Sequence, residues 1–103
     1  MRELVIPPAA FEDADSIEFI RFWVAGGQDH VSLHIGGMGE HDHEAMQWGM
    51  MLADISTHIV RGMVQDGSPD SEEVLRAKIE QGYLTRLKRK DVNFTGSLLG
   101  TRQ

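Results

Sequence analysis

The 103-residue sequence predicts an α+β fold: a small two-stranded sheet packed against three helices, with dimerisation as a way to extend the sheet. Three observations carry that expectation. HVSLHI at 30–35 alternates apolar and polar side chains, which is the period of a half-buried strand. Trp48, Leu52, Ile55, Ile59 and Met63 recur at helical intervals and form the stripe of an amphipathic helix. Ser68-Pro69, followed by Asp70, Glu72 and Glu73, has the chemistry of a helix start. Proline loses no hydrogen bond in that position, and acids suit the positive end of a helix dipole.

Residues 2–6, RELVI, form a short apolar segment halted by Pro7-Pro8, so they read as an edge strand or an extended arm. Asp13, Asp15 and Ser16 then offer N-caps, and Asp15 and Glu18 stand at capping-box spacing. Ile17, Ile20, Arg21 and Val24 follow at helical intervals, which favours a first helix ended by Gly26-Gly27. A hairpin is the competing reading, with RFWVA and HVSLHI joined by GGQD, because a short connection with two glycines suits a reversal.

After a glycine-rich turn at 36–39, Asp42 is expected to cap a long helix over 43–65 that buries the Trp48 stripe. A second stripe on this helix is small: Ala45, Gly49, Ala53 and Ser56. Glycine within a helix costs roughly 1 kcal/mol against alanine, so Gly49 calls for a close neighbour. The third helix is expected from the Ser68 cap and Pro69 to about Lys88, burying Leu75, Ile79, Tyr83 and Leu87. DVNFTGSLLGTRQ at 91–103 has no sustained period and reads as a flexible tail to a single compact domain over 1–90.

Composition narrows the chemistry. The chain has no cysteine, which excludes disulfides, thiolate-ligated metals and thiol nucleophiles. No stretch has the length of a bilayer span, and the opening residues lack the pattern of an export signal, so the cytoplasm is the expected compartment. Net charge is −6, unevenly placed. Residues 1–75 carry 3 basic and 14 acidic side chains, whereas residues 76–103 carry 7 basic and 2 acidic. An acidic body opposes general nucleic-acid binding through phosphate repulsion. The basic run Arg86, Lys88, Arg89 and Lys90 suits the negative end of a helix, or contact with an acidic partner or a second copy.

Two clusters have residue types that do chemistry. Glu40, His41, Asp42, His43 and Glu44 crowd into five positions. Zinc needs donor atoms converging at about 2.0–2.2 Å. In a flexible segment His41 and His43 converge, with Glu40 or Glu44 as third donor and His30 or His34 as alternatives, and the ion would be zinc or nickel. His30 and His34 are about 13 Å apart along a strand and do not chelate one ion together. The spacing matches no zinc signature. A polar helix start with no cofactor is therefore the expectation. Asp54 and His58 stand four apart, opposite the expected core stripe, with Arg61 one turn on. Such a pair serves either as an orienter and general base or as a solvated ion-pair stripe. No nucleophile elbow accompanies it, so the solvated stripe is expected. Met50 lies on that same side, and if exposed it marks an interaction patch.

ELVIPP, a Phe-Trp-Val segment before a glycine turn, VSLHIG and WG-x-x-LAD-x-x-x-H together resemble a family of short bacterial proteins of unknown function. The likeness spans about residues 3 to 80 and cannot be traced from 86 onward. It implies one compact α+β domain, supplies no mechanism, and singles out Trp48, Asp54 and His58. The functional expectation is a cytosolic, non-catalytic interaction or regulatory module acting as a homodimer. A metal-binding protein is the alternative, and a hydrolase using Asp54 and His58 the weaker one.

Overall fold

The computed structural model describes residues 1–89 and the backbone of residues 95–100. The fold is α+β, with the order α1 (Pro8–Glu12), β1 (Ile20–Ala25), β2 (Gln28–Ile35), α2 (His41–Gln65), α3 (Glu72–Leu87) and β3 (Thr95–Gly100). The chain groups into two compact units. One holds residues 1–37 with β3, and the other holds α2 and α3.

In the first unit the hairpin prevails over the expected helix. Asp13, Asp15 and Ser16 close a turn after α1 and do not open a helix. The Asp15 amide donates to Asp13 Oδ1 at 2.9 Å, and Ser16 Oγ donates to the Ala10 carbonyl at 2.9 Å. Released from that cap, the β-branched and aromatic run from Ile20 to Val24 takes the extended form it prefers. Gly26 and Gly27 both have positive φ, 60° and 76°, which the tightest two-residue hairpin turn requires and other residues resist. Ala25 therefore pairs with Gln28, and the register continues through Phe22–Val31 to Ile20–Leu33.

Residues 2–6 are not a strand. They run as an extended arm with Leu4 and Val5 about nine-tenths exposed. The sheet expected from 2–6 and 30–35 consists instead of β1 and β2, antiparallel, with β3 parallel on the far side of β2. Residues 95–100, where the sequence has no period, thus form a strand in register with 30–35. Residues 91–94 and 101–103, the rest of the expected tail, lie outside the described residues. A parallel pair cannot be joined by a tight turn, and the chain between β2 and β3 carries α2 and α3.

In the second unit α2 begins two residues earlier than expected. Glu40 is the N-cap position and makes no side-chain cap bond, while Asp42 lies inside the first turn. The start of α3 also moves: Ser71, not Ser68, is the cap, and its hydroxyl accepts from the Val74 amide at 3.3 Å. Ser68 serves the preceding turn by accepting from the Asp70 amide at 3.2 Å. Lys78 donates to the Asp70 carboxylate at 2.8 Å and ties that turn to the helix.

The two helices meet through a face other than the expected stripe. Val60 is fully buried and Leu75 nearly so, and among the described residues no other side chain reaches that state. Leu52, Ile55, Ile59 and Met63 remain 37–46% exposed, and Trp48 is half-buried. Of the α3 residues expected inside, Ile79 is half-buried whereas Tyr83 and Leu87 are exposed. The helical wheel explains the shift. Gly49, Ala53, Ser56 and Val60 turn toward Arg76, Ile79 and Tyr83, placing the seam about a quarter turn from the Trp48 stripe.

Candidate functional site

The histidine–acid cluster, the alternative metal site of the sequence, lies at the start of α2. Residues two apart on a helix project to different sides, so His41 and His43 diverge on the regular backbone that replaces the flexible segment. Glu44 is engaged elsewhere, because its Oε2 accepts from the Trp48 indole N–H at 3.1 Å, one turn along. Among the described residues no group of three or more histidines and acids is placed to hold one metal ion. His30 and His34 lie apart in β2: His30 Nε2 sits 3.2 Å from the Ala25 carbonyl, and His34 packs on Phe19.

Asp54 and His58 occupy an exposed side of α2 with Arg61 and Met50, and no hydrogen bond joins the acid to the imidazole. The nearest hydroxyls are bonded to the backbone and not aimed at the imidazole. Ser56 Oγ donates to the Ala53 carbonyl at 2.7 Å, and Thr57 Oγ1 to the same oxygen at 3.3 Å. Thr57 also accepts a long contact, 3.5 Å, from Arg76. At the C-terminal end of α3, Arg86, Lys88 and Arg89 are all exposed, and Lys90 lies outside the described residues.

What the structure does bring together is apolar. Leu52, Ile55, Ile59 and Met63 make a continuous ridge along α2, and Met46, Met50 and Val64 add exposed bulk on its other sides. Beside the ridge a groove of about 420 Å³ opens between α2 and α3, floored by the small residues Gly49, Ala53 and Ser56. A methyl group at Gly49 would meet no atom within 4 Å, so no close neighbour in the described chain explains that glycine.

A second groove, of about 610 Å³, lies between the N-terminal arm and β1. Arg21 crosses it. Its Nε and Nη2 donate to the two Glu18 oxygens at 2.9 Å each, and Nη1 donates to Glu3 at 3.1 Å. The hydrogen-bonded guanidinium holds the Glu18 carboxyl below its ordinary pKa against a small opposing effect of burial, and Arg21 is raised in turn.

Sequence reasoning missed two groups here. The Arg21 hub was visible only as Glu18–Arg21 spacing, which suits a helix equally well. Gly37 was read as mere flexibility. A Cβ at that position would fall 2.6 Å from His34 Cδ2 and Nε2 and 3.3 Å from Phe19, so any side chain there has to displace the His34 ring from its tilted contact with Phe19.

No helix among the described residues is long and apolar enough to cross a membrane. No curated protein and no solved structure matches the chain. Residues 3–91, nearly the whole described chain, match the family described as a domain of unknown function, DUF5076, and the protein belongs to that family.

Proposed function

We propose that the chain is a non-catalytic interaction or regulatory module of the bacterial cytoplasm that works as a homodimer. The observation that carries this reading is the ridge Leu52, Ile55, Ile59 and Met63, left substantially open although its spacing is that of a core stripe. Contiguous apolar surface of this kind marks a binding face, because leaving it in water forgoes roughly 25 cal/mol per Å² of stabilisation. Its neighbours suit the role: the Met46 and Met50 side chains adapt to varied partners, and the Gly49 groove leaves room for an inserted side chain. Asp54, His58 and Arg61 on the opposite flank then act as solubilising charge, and the basic residues Arg86, Lys88 and Arg89 as a rim for acidic groups.

Light scattering of the purified chain across dilution tests the dimer. The expected mass at high concentration is twice the monomer's 11.5 kDa. A mass of one chain at every concentration would overturn the reading.

A further inference from the structure

We infer that β1 pairs edge to edge with β1 of a second copy, antiparallel, on a two-fold axis at Phe22. The inference rests on the homodimer reading above and adds the surface through which the dimer forms.

The backbone sets the register. The His34 amide donates to the Phe19 carbonyl at 3.0 Å, which makes Phe19–His34 a hydrogen-bonded pair. Such pairs alternate along an antiparallel ladder, so Arg21, Trp23 and Ala25 direct their amides and carbonyls at β2. Those of Ile20, Phe22 and Val24 point the other way, toward the arm groove. β1 is the terminal strand of the sheet, and the arm beyond the groove forms no strand with it. The strand has no proline and no bulge, and its one charge is held by Glu18 and by Glu3 of the arm, which flanks the edge without entering the sheet. Phe22 and Val24 are more than half exposed.

The strand is also complementary to itself. About an axis at Phe22, Phe22 meets its own copy, Ile20 meets Val24, and Arg21 meets Trp23. These are an aromatic pair, a β-branched pair and a cation over an indole, each favourable across strands. The outward-facing residues are those that an axis at Phe22 makes hydrogen-bonded pairs, so the donors and acceptors coincide. Charge agrees as well. The groove carries Arg2, Glu3, Glu18 and Arg21, two of each sign, within a chain of net charge −6. A locally neutral contact adds no like-charge repulsion of its own.

The absence of native cysteine makes the test direct. Phe22→Cys places two thiols across the axis at a spacing a disulfide accepts, whereas two copies of Ile20→Cys stand about four residues, or roughly 13 Å, apart. Under mild oxidation Phe22→Cys is expected to become a covalent dimer, Ile20→Cys to stay single, and Ile20→Cys/Val24→Cys to crosslink again. Val24→Pro removes one outward donor and none of the donors used by β2, so it is expected to lower self-association at least tenfold. Circular dichroism and light scattering check fold and mass for each variant. If Ile20→Cys crosslinks as readily as Phe22→Cys, or if a dimer forms in which Phe22→Cys stays unlinked, the edge pairing is wrong while the homodimer stands. A wild-type chain that is monomeric throughout removes both.

Discussion

Gly37 shows what a single hydrogen atom can decide. Adding a methyl there drives it into the His34 ring, which itself packs at a tilt against Phe19 with centroids 5.3 Å apart. Gly37→Ala is expected to cost about 1–3 kcal/mol in urea unfolding, the usual range for overpacking. Adding His34→Ala should return part of that loss, because the clash has lost its partner. Gly49 is the opposite case. With nothing within 4 Å of an added methyl, Gly49→Ala should stabilise the isolated chain by about 1 kcal/mol. Both glycines were visible in the sequence, but the difference between them was not, because it depends on which residues folding brings near: His34 and Phe19 at Gly37, none within 4 Å at Gly49. Glu18 gives a pH signature. Its carboxyl is held below its ordinary pKa by Arg21, so its contribution is complete above the ordinary carboxylate range. It disappears as pH falls through the lowered value. Glu18→Gln should flatten that acid limb of the stability profile, read from urea midpoints at successive pH values.

Elements were legible where one local signal had no rival. The 30–35 alternation, the long 3.6-residue period of α2 and the proline–acid start of α3 all correspond to elements, with ends displaced by two or three residues. Residues 13–25 were misread because each signal there had two uses. Asp and Ser cap helices and also close turns, while Ile, Phe, Trp and Val fit either period over so few residues. The Gly26-Gly27 pair was the discriminating feature, since two successive positive-φ residues form a hairpin turn and one suffices to end a helix. Gly26→Ala and Gly27→Ala are each expected to cost about 1–2 kcal/mol, the penalty for a side chain in left-handed backbone. At the other end, Ser71→Ala should cost about 1 kcal/mol and Ser68→Ala less, because Ser71 alone caps the helix. Thermal or urea unfolding of the pair checks the assignment. β3 had no signature, since its register comes from the backbone of β2 and its own TGSLLG has no alternation to read.

Across the whole molecule, the sequence gives the width of the apolar stripe on α2 but not which side of it a neighbour takes. Two faces compete on that helix, one large and one small. α3 lies on the side of the small one, with Val60 and Leu75 buried and a groove left over Gly49, Ala53 and Ser56. The opening of the ridge follows from the same rotation, whereas Asp54 and His58 are exposed with either face inward. The role of the histidine cluster likewise turned on whether 41–44 was loop or helix, which its residues alone left open. The proposed interaction role rests on that geometry, and its central physical claim is that the ridge meets water in the unbound protein. Methyl-detected NMR with a soluble paramagnetic probe reads this directly. Strong relaxation of the Leu52, Ile55, Ile59 and Met63 methyls, with Val60 and Leu75 protected, is the expected result. Ridge methyls as protected as Val60 would contradict it.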